Sequence, residues 1–146
     1  MEVTTMTWVV AIAGLFLILL LGSFQLVAVM RPRSEWTIAN VYGGDPVETD
    51  TRAYFAYNQG YAWADTFLWV PLQIAGSIGM LYGQRWGFLL ALVASVPFVY
   101  TAVTNFIWDR DLEFRSNTAY YWIIVWAIWP AFGLLEGIYC FTRLLA

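Results

Sequence analysis

Histidine and lysine are absent from this chain of 146 residues, cysteine occurs once, and only 12% of the residues are charged. Without histidine the commonest metal ligand and the commonest acid-base catalyst are missing, which argues against haem, zinc and di-iron chemistry and against a catalytic triad. The lone Cys140 excludes an internal disulfide. All seven basic residues are arginines, scattered along the chain, and the net charge is -3. No polybasic patch results, so nucleic acid is not expected as a partner. So few charges also argue against a soluble domain, whose surface charge must cover.

What fills the chain instead is apolar: 61% of its residues are hydrophobic and 19% aromatic. At about 20 apolar residues per crossing, four runs qualify as membrane-spanning helices: Trp8 to Met30, Tyr61 to Tyr82, Trp86 to Trp108 and Thr118 to Leu144. The first run follows Glu2 and no basic residue, and it exceeds a signal-peptide core in length, so it is read as a retained helix. The expected fold is all-α: one integral membrane domain over residues 1–146, a multi-pass four-helix bundle with a long aromatic and acidic loop between its first two helices. The compartment is not specified by these features.

An up-and-down order puts the loop Arg31 to Gly60 and the turn Asp109 to Asn117 on one face. Both termini and the Gly83-Gln84-Arg85 turn then lie on the other, the terminal face. Five of the seven arginines lie on the loop face, which by the positive-inside rule would be cytoplasmic, although the same loops carry seven of the ten acids. The loop carries Trp36, Tyr42, Tyr54, Phe55 and Tyr57 among charges, as expected of a segment at the headgroup level or folded over the bundle mouth. The "DRDLEFR" stretch alternates acids with arginines that would pair with them, and reads as a solvated turn, not a metal loop.

Polar residues recur within the apolar runs. In the second, Asp65, Trp69, Leu72, Gln73, Gly76 and Met80 share one helix face, and Pro71 can free a carbonyl. The third carries Thr101, Thr104 and Asn105 on one face with Tyr100 beside them, Thr104 and Asn105 at nearly the depth of Asp65, and Gln25 in the last turns of the first helix is close to that level too. Gln25, Asp65, Thr101, Asn105, Trp122 and Trp126 can therefore surround one cavity open to the loop face. Alternatively, such Thr, Asn and Gln side chains serve as packing glue at about 0.6 kcal/mol each. Asp65 differs, because an ionised carboxylate at mid-membrane costs roughly 2.5–3.5 kcal/mol; it either reaches water or has a role.

The fourth run holds Trp122, Trp126, Trp129, Gly133, Glu136 and Cys140 at alternating steps of four and three, the seam of a left-handed helix packing. Glu136 thus faces the bundle interior. Two roles are open to it: a structural ion pair with Arg85 or Arg143 reaching inward, or a protonatable group in a buried cavity, able to donate or accept a proton. The tryptophans suit a flat apolar ligand or a cation. Asp65 and Glu136 are the candidate acid-base pair, with Gln25, Trp69, Gln73, Tyr100, Thr101, Thr104, Asn105, Trp122, Trp126 and Trp129 as candidate ligand contacts; no metal or cofactor is implied.

From about Asp45 onward the order of features resembles the EXPERA family of four-helix membrane proteins, which includes the emopamil-binding sterol isomerase and the sigma-2 receptor. The likeness lies in a loop with Asp45-Pro46, an acid leading a proline-bearing helix ("ADTFLWVPLQ"), the turn "GQRW", a third helix ending "TNFIWD", and "WPAFG" in the fourth. It implies a sterol-like or amine-like ligand held by carboxylates and aromatics, and cytosolic termini. The isomerase-type members use histidine with acids, and this chain has none. The expectation is therefore a protein that binds, and in principle isomerises, a lipophilic small molecule. The alternatives are an accessory subunit of a larger membrane complex, or a small proton-coupled transporter that oligomerises.

Overall fold

A computed structural model describes residues 1–42, 52–111, 123 and 127–146, and these are helical apart from short turns and caps. Helix α1 spans Thr5–Met30 and α2 Glu35–Thr37, which continues as a π-helical turn over Ile38–Tyr42. Helix α3, Arg52–Ala64, runs through a second π turn, Asp65–Trp69, into α4, Val70–Leu81. Helix α5 spans Arg85–Asp111 and α6 spans Trp129–Leu145.

Local chemistry sets these limits. Thr4 caps α1 by accepting from the Thr7 backbone N–H at 3.2 Å, while its own N–H donates to Thr7 Oγ1 at 3.1 Å. Pro32 follows the end of α1, and Ser34 caps α2, accepting from the Thr37 N–H at 3.1 Å. Between α4 and α5 the chain reverses at Gly83, whose φ of 65° lies in the left-handed region that favours glycine.

Helix α4 lies between α1 and α5, α5 packs along α6, and α6 returns to touch α1. The α4–α5 contact brings backbones together: a Cβ built on Gly76 would sit 2.6 Å from Ala91 N, and one on Gly87 would sit 2.2 Å from Gly79 C. On α6, a Cβ on Gly133 would meet Phe98 Cβ and Ser95 O of α5, and one on Gly137 would meet the Ser95 hydroxyl. Small residues four apart at a helix contact are how apolar helices associate where lipid offers them no hydrophobic driving force.

Large apolar side chains cover the outside, among them Phe16, Leu19, Leu68, Val96, Ile138 and Phe141. The buried set, by contrast, includes Thr7, Gln73, Ser77, Ser95 and Glu136. Two helical stretches, Thr5–Met30 and Arg85–Thr104, are long and apolar enough to cross a membrane. At one end, the Met1 amino group donates to Gly83 O, Arg143 to Glu2 O, and Arg85 to Leu144 O at 3.3 Å. The two chain ends and the Gly83 turn therefore meet on one side.

Two sequence boundaries shift. The second helix begins at Arg52, not Tyr61, because the Arg52–Gly60 stretch is too polar to span hydrocarbon but contains no proline to stop a helix. Apolarity had marked the apolar part of the helix and not the whole of it. Part of the long loop is also helical: Trp36 stacks on Phe24 at 5.7 Å, and Tyr42 is buried against Ala28 and Ala62. Gln59 Nε2 ties these together, donating to Ala28 O at 3.0 Å and to the Tyr42 hydroxyl. Asp45-Pro46 and the "DRDLEFR" side chains lie outside the described residues.

Candidate functional site

Three prolines set the upper layer of the site. Proline has no N–H and its ring crowds the carbonyl four residues before it, so a helix that contains one must adjust. The π turn Asp65–Trp69 leads directly into Val70-Pro71, and Ala127 and Ile128 are π-helical ahead of Pro130. Pro97 lies inside α5. An aromatic residue next to or near each proline turns into the core, where Trp69, Phe98 and Trp129 meet. Trp69 and Phe98 have centroids 4.6 Å apart at 71°, Trp69 and Trp129 6.4 Å at 84°, and Phe98 and Phe132 5.3 Å at 82°. These are the edge-to-face arrangements that aromatic quadrupoles favour.

The Trp69 indole donates to Ala94 O at 2.8 Å. Trp129 Nε1 and Thr66 Oγ1 are buried without a hydrogen-bond partner among the described residues. Asp65 opens the π turn and is half-buried, and its carboxylate has no hydrogen bond or ion pair with any described residue.

One turn deeper lies a polar pair. Gln73 and Glu136 are both 0% exposed. Gln73 Nε2 donates to Glu136 Oε1 at 2.6 Å and to Ser77 Oγ at 3.3 Å. Gln73 Oε1 and Glu136 Oε2 have no partner among the described residues. Gly14 of α1 faces the pair, and the Phe132 ring closes the same space. Below them Cys140 Sγ lies 3.8 Å from Met80 Sδ.

This corrects one of the two roles open to Glu136. Among the described residues it has no arginine partner: Arg85 and Arg143 donate to the carbonyls of Leu144 and Glu2. The cause is positional. Those carbonyls lie at or near chain and helix ends, outside the intrahelical ladder, whereas Glu136 lies seven residues inward from Arg143, about 10 Å along the helix. Arg143 also rests over the Phe88 ring at 5.5 Å.

The other candidates divide. Trp69, Gln73, Trp129 and Glu136 come together around the helix contacts just described. Tyr100 and Thr104 approach the Tyr61 hydroxyl, which itself accepts from Tyr57 at 3.1 Å. Thr104 Oγ1 also donates to the Thr101 carbonyl at 3.1 Å. Gln25 and Thr101 are half-buried, and their side chains bond no described residue. Trp122, Trp126 and the Asn105 side chain lie outside the described residues, and with them the expected approach of Asp65 to Asn105.

Sequence reasoning passed over Ser77, Phe132, Gly14, Tyr61 and Thr66. Helical spacing carried a signal for two: Ser77 is four residues after Gln73, and Phe132 is four before Glu136. Among the described residues no three His, Cys, Asp or Glu side chains gather as metal ligands. The arrangement offers hydrogen bonding and aromatic contact in an apolar setting. Comparison with known proteins finds no similar family model, curated protein or solved structure.

Proposed function

We propose that this chain is a multi-pass integral membrane protein that binds a lipophilic small molecule at the Trp69–Phe98–Trp129 layer. The observation that carries this reading is the mismatch at that level: an aromatic wall with a buried indole N–H and a buried hydroxyl, Trp129 Nε1 and Thr66 Oγ1, that nothing in the described chain satisfies. Native proteins rarely leave such groups bare without reason. A mostly apolar ligand with one polar head, sterol-like or amine-like, would pack on the rings and meet these groups. The half-buried Asp65 carboxylate stands one turn above to receive a cationic head.

Four membrane crossings fit the outward apolar surface and the inward polar residues. Binding is favoured over isomerisation. Asp65 and Gln73 are eight residues apart, about 12 Å along the helix, and Glu136 bonds Gln73, so the two carboxyl groups are too far apart to serve the two neighbouring carbons of one allylic proton shift. The ligand class agrees with that implied by the EXPERA-like order of motifs.

Two measurements test the proposal. Native mass spectrometry of the detergent-extracted protein should find a monomer with a retained lipophilic molecule, lost on Trp129→Phe; a bare chain held by fixed partner subunits would instead favour an accessory subunit. Cysteines engineered at Thr4, Gln84 and Ala146, in a Cys140→Ala background, should label from the same side of the membrane. Opposite labelling of Thr4 and Ala146 would reject four crossings.

A further inference from the structure

Ligand binding at the aromatic layer leaves the deeper Glu136–Gln73 pair without a task. Both residues are fully enclosed. A Cβ built on Gly14 would lie 2.5 Å from Gln73 Nε2 and 3.2 Å from both Glu136 Oε1 and the Phe132 ring tip. The side facing α1 thus has no room even for a methyl group.

Nor does any neighbouring element bring a countercharge among the described residues. From α6, Tyr139 bonds Thr7, Cys140 lies against Met80, and Arg143 holds Glu2 O. From α4 the neighbours are Gln73 and Ser77, uncharged. Helix α5 brings Ser95, bonded to Leu92 O, and its Arg85 is engaged at Leu144 O. Helix α1 presents Gly14 and Thr7. An ionised carboxylate enclosed without an opposite charge is strongly disfavoured.

The Gln73–Glu136 contact is 2.6 Å. The two ends of a carboxamide have the same shape, so chemistry must decide which end faces the acid. With the Gln73 amide turned over, its carbonyl accepts from a carboxylic acid O–H at 2.6 Å and from the Ser77 hydroxyl at 3.3 Å.

We infer that Glu136 and Gln73 form a proton-binding site, in which Glu136 holds the proton and the orientation of the Gln73 amide reports it. A proton is the ligand that needs no cavity. Loading transfers one proton from water to a carboxylate oxygen and removes one negative charge; no other bond changes. Release returns the proton to water, turns the amide so that N–H faces the carboxylate, and leaves a bare charge between α4 and α6. That charge favours movement of the Glu136 and Gln73 side chains apart, just below Pro71 and Pro130, where the backbone bonding of their helices is already interrupted. The site stands independently of ligand binding at the aromatic layer.

Infrared difference spectroscopy of the full chain in nanodiscs, wild type minus Glu136→Gln, tests this at neutral pH. The expected result is a carboxylic-acid carbonyl band present in wild type, absent from the variant and shifted in D2O. The Glu136→Gln melting temperature should be unchanged, since an amide replaces a neutral acid in shape and bonding. Gln73→Leu should retain the band and move it to higher frequency as its hydrogen bond is lost. A difference spectrum with carboxylate bands in place of the acid band would overturn the inference. So would a Glu136→Gln variant that fails to fold or melts far lower, because an amide cannot replace an anion held by a hidden countercharge.

Discussion

At the terminal end, Tyr139 shares a hydrogen bond of 2.6 Å with Thr7 Oγ1 and one of 3.1 Å with Thr4 Oγ1, and both arginines end on carbonyls. Higher in the same bundle, Gln73 Oε1, Glu136 Oε2 and Trp129 Nε1 are buried with no described partner. The two regions share helices but differ in burial: the terminal bonds are exposed or only partly buried, whereas Gln73 and Glu136 are fully enclosed and water cannot complete their bonding. Polar groups at the terminal end are accounted for by stability alone, each bond worth about 0.5–1.5 kcal/mol net. Those in the middle cost stability as they stand, and a cost that persists points to use.

The largest effect should come from disturbing the contact on which both regions depend. Gly87→Ala would force backbone against backbone at Gly79 and should lower stability by about 3 kcal/mol, the upper end of overpacking costs. Unfolding by SDS titration would measure it. Gly14→Ala sharpens the comparison, because its Cβ meets the flexible Gln73 side chain first. A smaller loss, about 1–2 kcal/mol, is expected there, and equal losses would mean that the Gln73 amide has no freedom to turn.

Within the terminal end, Tyr139→Phe removes the hydroxyl shared by two threonines and should cost about 1–2 kcal/mol. In the middle, Trp129→Phe removes an N–H with no described partner together with part of a ring packed on Trp69 and Phe98; it should cost about 1–2 kcal/mol through lost packing alone, while abolishing retention of the lipophilic ligand. If Trp129→Phe kept the ligand, or Tyr139→Phe lost it, the contrast between the regions would fail. The smallest effect is expected of Asp65→Asn: stability within about 0.5 kcal/mol of wild type, with weaker binding of a cationic lipophile such as a long-chain amine, read by calorimetry. Comparable losses in both would mark Asp65 as structural.

Helices α1 and α5 were legible in the sequence because each is an uninterrupted apolar run, and the buried face of α6 was legible because Gly133, Glu136 and Cys140 recur at steps of three and four. The same spacing put Gln73 on the Trp69 face and so inside. Three things were not legible. Arg52–Gly60 has no apolar period, so its helix escaped a reading based on hydrophobicity. The choice of Arg85 and Arg143 for carbonyl groups depends on which chain ends meet, a tertiary fact. The pairing of Glu136 with Gln73 across 63 positions needs the α4–α6 distance, which no local pattern carries.

The near contact of Gly79 with Gly87 across the Gly83 turn bears on how the chain assembles. Residues so close in sequence lose little loop entropy when they meet, and two helices joined by a tight turn gain their packing before any distant partner arrives. The α4–α5 hairpin is thus the segment best suited to form first, with α1 and α6 added later against its two sides. Chain order and assembly order would then differ: α1, though it precedes α4 and α5 in the chain, waits for them, and the Gln73–Glu136 bond is among the last to close.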